Sequence, residues 1–170
     1  IKYFDTEKTM CSLKNIPGIV YREEDEIVRN ENSIYIQDLD ELPFMDRESM
    51  PIENRSALLS TSRGCISQCT FCRRKQLYRG WRGRTPKNIV DEIEQIIHQK
   101  GIKVFMFNDN SFEDPDMNLE RLEELCKEII GRHLDITYNA YFRGDFYKKA
   151  NPRTAELLSK SGLLAVQVGI

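Results

Sequence analysis

Three cysteines, Cys65, Cys69 and Cys72, stand within TSRGCISQCTFCRRK, with three and then two residues between them. Thiols this crowded staple a chain, hold a metal or do chemistry. The chain carries five cysteines, an odd number, which suits a secreted disulfide framework poorly and an intracellular metal site well. A structural zinc site takes four protein ligands, usually as two separated pairs. The fourth ligand would have to be Cys11, Cys126, His98 or His133. Cys126 falls on an apolar helix stripe, and the two histidines lie on or next to helices, so core filler or surface is the better reading of each. Three soft thiolates in a tight loop suit an iron–sulfur cubane instead, and three protein ligands leave one iron open.

The elements that must position this loop follow from the rhythm of the chain. Up to about residue 54, IPGIVYREEDEIVRN reads as a small hairpin around an acidic turn, and SIYIQDLDELPFMDRESMP as an extended linker interrupted by prolines and acids. From Arg55 onward, strands alternate with helices. ALLSTS (57–62) is a short apolar strand that runs directly into the cysteines. TPKNIVDEIEQIIHQKG predicts a helix capped by Thr85, with Pro86 in its first turn, Gly101 at its exit and an apolar face of Ile89, Val90, Ile93, Ile96 and Ile97. IKVFMFND (102–109) reads as a buried strand. DPDMNLERLEELCKEIIGR reads as a second helix with Leu119, Leu122, Cys126, Ile129 and Ile130 on one stripe. LDITYNAYFRGD (134–145), NPRTAELLSKSG and LLAVQVGI supply a third strand, a third helix and a fourth strand. Strand starts near 102, 134 and 163 are about one βα unit apart, which predicts a parallel sheet wrapped by helices. In such folds the loops at the carboxyl ends of the strands build the site. The cysteines, NDNSF (108–112) and YFRGD (141–145) would therefore face one rim.

Composition bounds what the site serves. The 170 residues carry 25 Lys+Arg against 27 Asp+Glu, a formal charge of −2, so no global field draws the chain to nucleic acid or lipid. No apolar run approaches the roughly 20 residues that span a bilayer, and IKYFDTEKTM is too charged for a signal peptide. A soluble, cytoplasmic protein with no membrane association is expected. The chain starts without methionine and stops inside an apolar run, which reads as an excerpt of a longer protein. One local basic stretch, Arg73, Arg74, Lys75, Arg79, Arg82, Arg84 and Lys87, contains no acid. Together with Tyr78 and Trp81 it has two readings: an anion or nucleic-acid patch with stacking rings, or local charge balance for a thiolate cluster. The second is favoured, with a small-molecule substrate expected rather than nucleic acid.

The triplet C-x3-C-x2-C with an aromatic before its last cysteine, Cys65, Cys69, Phe71 and Cys72 after the first strand, resembles the radical S-adenosylmethionine enzymes. YRGWRGRTPKNIVDEIEQII, VFMFNDNSF and the early IPGIVYREEDEIVRN and IQDLDELPFMDRE are similar to the branch whose barrel follows a cobalamin-binding domain. The resemblance implies an α/β fold, a partial TIM-like barrel of three to four βα units (55–170) truncated in its fourth strand and preceded by a hairpin and linker (1–54). It implies a [4Fe-4S] cluster on Cys65, Cys69 and Cys72 and S-adenosylmethionine on its open iron, with cobalamin bound outside this chain. Phe71 would pack near the adenine. Asp109, with Asn110 beside it, stands where the family often has a Gly-Gly-Glu stretch holding the methionine amine, a motif this chain departs from. Arg143 would pair with the methionine carboxylate, the other reading being an ion pair with Asp145. Gly64 would let the chain turn tightly into the loop.

The implied activity is reductive cleavage of S-adenosylmethionine to a deoxyadenosyl radical, fed by a flavodoxin- or ferredoxin-type donor and used for cobalamin-dependent C-methylation or related chemistry. The alternatives are a methylthiotransferase acting on tRNA or protein, and a non-catalytic iron–sulfur or zinc module. The fourth strand, an open edge, would let such a fragment pair with a second copy and leave it inactive alone.

Overall fold

The computed structural model describes residues 13–31, 35–47, 55–73, 80–115, 119–148 and 150–169. Cys11, Arg74, Lys75, Tyr78 and Arg79 lie outside them. The chain divides into two compact units, Ile1–Gln37 and Asp38–Ile170. The first contains the expected hairpin: β1 (Val20–Glu23) pairs antiparallel with β2 (Glu26–Arg29) across a turn in which Glu24 takes a φ of 53°. The Asn30 side-chain amide closes its base by donating to the carbonyls of Leu13 and Ile16, each at 2.7 Å.

Sequence places the boundary near residue 54, whereas residues 38–47 belong with the second unit. Their side chains explain this. Asp40 accepts from the backbone N–H of Thr85 at 3.1 Å, and Arg47 reaches Glu92 at 3.3 Å and donates to the Leu58 carbonyl at 2.8 Å.

The second unit is an α/β layer. Strands β3 (Ser56–Leu59), β6 (Val104–Phe107), β7 (Thr137–Phe142) and β8 (Leu163–Val168) form one parallel sheet in that order. A short antiparallel pair, β4 (Ser62–Gly64) and β5 (Trp81–Gly83), stands apart from it. Helices α1 (Pro86–Lys100), α2 (Glu120–Gly131) and α3 (Pro152–Lys160) make the crossovers.

Alternation along each strand sends every second side chain to the helices. Ala57, Leu59, Phe105, Phe107, Tyr138, Ala140 and Phe142 meet Ile89, Val90, Ile93 and Ile96 of α1 and Leu122, Leu125, Cys126 and Ile129 of α2 in one core. Phe107 stacks on Tyr138 at 4.6 Å between ring centroids, and Phe112 meets Phe142 edge-on at 5.4 Å. The buried strand expected at 102–109 is buried on one face: Phe105 and Phe107 are covered by helices while Val104 and Met106 are exposed. Leu58 and Tyr141 lie exposed on neighbouring strands as well.

The helices begin and end as their sequences require. Thr85 caps α1, its hydroxyl oxygen accepting from the Asn88 N–H at 3.2 Å, with Pro86 next and Gly101 closing the helix at φ 66°. Asn151 caps α3 in the same way through the Thr154 N–H at 3.0 Å. Helix α2 starts at Glu120, later than its apolar stripe suggests, after Leu119 turns into the left-handed region at φ 59° with no side-chain cap. The uncapped start of α2 and the capped start of α1 set different expectations. Replacing Thr85 with Ala is expected to lower the unfolding free energy by about 1 kcal/mol, and Thr85→Ser by much less, as read from urea denaturation.

Candidate active site

Strand β3 ends at Leu59, where the Asn108 N–H donates to the Leu59 carbonyl at 2.9 Å. The chain then turns through Ser60 and Thr61 into β4. A single carboxylate holds this turn. Asp109 Oδ1 accepts from the backbone N–H groups of Thr61 and Ser62, both at 2.8 Å, and Oδ2 accepts from the Thr61 hydroxyl at 2.6 Å.

The cysteine loop is the excursion of residues 65–80 between β4 and β5. Its base is tight. Gly64 pairs with Trp81 across the hairpin and takes a φ of 94°, and a Cβ there would stand 1.8 Å from the Gly80 carbonyl oxygen. Glycine is required at Gly64 by backbone angle and by close approach together. The Ser111 carbonyl accepts from the Ser62 hydroxyl at 3.0 Å and from the Trp81 indole N–H at 3.1 Å, so it ties both strands of the hairpin to the end of β6. The Arg121 guanidinium covers the Trp81 ring at 4.9 Å while pairing with Asp114 at 2.6 Å. Gly83 leaves room for that stack, since a Cβ there would sit 2.5 Å from the Trp81 ring and 2.9 Å from Arg121 Nε.

On this base Cys65 and Cys72 are half-buried and Cys69 is exposed, all as free thiols. The Ser67 N–H points to Cys65 Sγ at 3.4 Å, and the Cys72 N–H donates to the Cys69 carbonyl at 3.1 Å. Among the described residues no three Cys, His, Asp or Glu side chains stand gathered for one metal ion. The thiols share a loop rather than a point. Zinc needs its ligands about 2.0–2.3 Å from one centre, whereas a cubane takes each thiolate on a separate iron, and three free thiols are the donor set such a cluster uses. Of the other ligand candidates, Cys126 is buried beneath the sheet, and His98 and His133 are exposed on α1 and after α2.

The remaining site residues fall as follows. Phe71 is 83% exposed at the tip of the loop. Asp109, expected to meet the methionine amine, is only 3% exposed with both oxygens engaged by the turn, where it anchors the cysteine hairpin. Burial pushes its carboxyl up to about 6, against the hydrogen bonds from Thr61 and Ser62 that favour the charged form. Asn110 is half-buried beside it. Arg143 is nearly buried, with Nε 3.0 Å from Glu113 Oε1 and 3.4 Å from Asp145 Oδ1. The Asp145 pair was one of its two readings. Glu113 was missed: its side chain is fully buried, and Oε1 also accepts from the Arg143 backbone N–H at 2.8 Å. Its only signal was an acid directly after a strand-end loop, which reads as the approach to a helix.

Two members of the basic stretch have partners among the described residues. Arg84 pairs with Glu92 and Lys87 with Asp91, each at 2.6 Å, so acids of α1 rather than thiolates balance them. Trp81 has the Arg121 guanidinium over its ring.

Residues 59–170 match the Radical SAM superfamily, and the chain belongs to it. It is 28% identical over 141 residues to the anaerobic magnesium-protoporphyrin IX monomethyl ester cyclase of Cereibacter sphaeroides, covering 79% of this chain and 22% of that protein. It is also 28% identical over 165 residues to an uncharacterized methyltransferase of Pyrococcus horikoshii, covering 93% of this chain and 35% of the relative. The chain thus spans about a fifth to a third of these curated relatives. Among solved structures, the cobalamin-dependent S-adenosylmethionine radical enzyme OxsB shares the fold at a TM-score of 0.73 and 24% identity, over 93% of this chain and 24% of that one. The radical S-adenosylmethionine methyltransferase TsrM of Kitasatospora setae matches at a TM-score of 0.56 and 22% identity, over 66% of this chain and 22% of its own.

Two outcomes test this assembly. Asp109 binds its proton more tightly in the folded chain, about 6, than at the ordinary 3.8. The stability this contributes is fully present below about pH 4 and is lost as pH rises through about 6, a difference of up to about 3 kcal/mol. Relative to Asp109→Asn, the wild-type chain should therefore lose stability between pH 4 and 6, measured by denaturation at each pH. Gly64→Ala should destabilise by roughly 2 kcal/mol or more. Gly80→Ala should do less, because a Cβ at Gly80 meets nothing within 4 Å although its φ is 80°.

Proposed function

We propose that this chain forms the S-adenosylmethionine-cleaving part of a radical enzyme, and that the whole protein carries out cobalamin-dependent C-methylation or related radical chemistry on a small molecule. The observation that carries this reading is one loop of three free thiols, Cys65, Cys69 and Cys72, mounted on a hairpin beyond the carboxyl end of β3. Cys65, Cys69 and Cys72 would hold a [4Fe-4S] cluster, which would supply the electron for reductive cleavage of S-adenosylmethionine. The names of the relatives support the methyltransferase and cobalamin parts of the reading, and no residue of this chain is assigned to cobalamin.

The protein's own share is orientation. Asp109, Ser111 and the Trp81–Arg121 stack hold the hairpin rigid. Arg143 Nη2 and Glu113 Oε2 are buried side-chain atoms with no hydrogen-bond partner among the described residues. A donor and an acceptor side by side complement the carboxylate and ammonium of a methionine end. Asn110, beside Asp109 at that strand end, is assigned to the amine, and Phe71 is the ring assigned to the adenine. The four parallel strands are read as the start of a βα barrel, with Leu58, Met106 and Tyr141 on its inner face. A flavodoxin- or ferredoxin-type donor, cytoplasmic residence and edge pairing through β8 complete the proposal. No helix among the described residues is long and apolar enough to cross a membrane.

Anaerobic reconstitution tests it. Iron and sulfide should bind in equal amounts, and S-adenosylmethionine should yield deoxyadenosine or homocysteine-level products. Replacing any of Cys65, Cys69 or Cys72 with Ala should reduce both to background. Arg143→Lys, which keeps the charge opposite Glu113, should retain iron and weaken S-adenosylmethionine binding roughly tenfold. Stoichiometric zinc without iron would overturn the reading.

A further inference from the structure

Beside the cysteine hairpin, a cavity of about 310 Å³ opens along the outer edge of β3, which among the described residues pairs only with β6. Its size falls at the lower end of the roughly 300–1,000 Å³ range of small-molecule sites. The 38–47 segment forms one wall with Leu42, Phe44 and Met45, and Leu58 of β3 forms another. The polar part of the lining is unbalanced in charge: Arg47, Arg63 and Arg84 against Glu92.

Glu92 is already taken twice, by Arg84 at 2.6 Å and by Arg47 at 3.3 Å. One carboxylate between two nearly buried guanidiniums leaves a positive charge over. Arg47 Nε is buried with no hydrogen-bond partner among the described residues. Arg63, on β4, has neither an ion pair nor a side-chain hydrogen bond among them, and its backbone register partner is another arginine, Arg82. Asn108, at the end of β6, adds a side-chain amide to the lining. An apolar pocket holding uncompensated guanidinium charge is complementary to an anion with a hydrocarbon body. The concavity and the burial of Arg47 and Arg84 exclude the flat, solvent-facing cation array that a nucleic-acid backbone uses.

We propose that this cavity binds a small amphipathic carboxylate, its charged end at Arg63 and Arg47 and its apolar body against Leu42, Phe44 and Met45. The site is separate from the thiols and does not depend on the cluster reading. It adjoins them, since Arg63 lies on β4 two residues before Cys65, where the cysteine loop begins.

Octanoate and octylammonium, equal in length and opposite in charge, are the probes, titrated into the full chain by calorimetry. Octanoate should bind saturably and octylammonium should not. Arg63→Gln, at an exposed position with no partner to lose, should weaken octanoate roughly tenfold. Met45→Trp, which fills the apolar end, should abolish binding. The same octanoate affinity in Cys69→Ala keeps this result apart from the fate of the cluster. No saturable octanoate binding, equal binding of both probes, or undiminished binding in Arg63→Gln would each overturn the proposal.

Discussion

The carboxylate of Asp109 accepts three hydrogen bonds from Thr61 and Ser62, and the cysteine hairpin depends on that contact. It joins the end of β6 to the turn that leaves β3, so two neighbouring parallel strands stop at one level and the chain departs in a set direction. A buried carboxylate is stable only when hydrogen-bonded or neutralised. Here its partners are backbone N–H groups that a sharp turn would otherwise leave unsatisfied. Ser111, two residues further on, continues the same task by receiving both Ser62 and Trp81 through one carbonyl. The loop that carries the thiols is therefore held by the ends of the sheet, while its own tip, with Cys69 and Phe71, stays exposed.

The sheet presents two unlike faces. One is sealed by three helices over interleaved aromatics, and the other carries Leu58, Met106 and Tyr141 in the open. Parallel sheets are ordinarily covered on both sides. An uncovered apolar face beside a thiol loop fits the reading of these strands as part of a larger enclosure around a reacting centre.

Charge in this chain is settled over short distances. A net of −2 conceals a dense local pairing in which Arg84, Lys87, Arg121 and Arg132 each find acids on or near α1 and α2. Arg132 alone bridges Asp91 and Glu94 of α1 and Glu128 of α2, fastening the two helices together. Against that background, Arg47 Nε, Arg143 Nη2 and Glu113 Oε2 are among the buried side-chain atoms with no hydrogen-bond partner among the described residues.

The order of strands and helices, the cap at Thr85, the apolar face of α1 and the thiol triplet were legible in the sequence, because each rests on short-range periodicity or on adjacent residues. Asp109 was visible as a strand-end acid, but its partners, Thr61 and Ser62, lie far away along the chain and meet it only through parallel pairing of β3 with β6. For the same reason the linker residues 38–47 read as loose, yet they pack where Asp40 and Arg47 find Thr85 and Glu92. For the basic run, read as local charge balance, the acids that pair with Arg84 and Lys87 are Glu92 and Asp91 of α1. Sequence alone pointed to the family, the βα rhythm and the three thiols of the loop. The tertiary structure decided which polar groups are already satisfied, because satisfaction depends on neighbours distant in sequence and close in space.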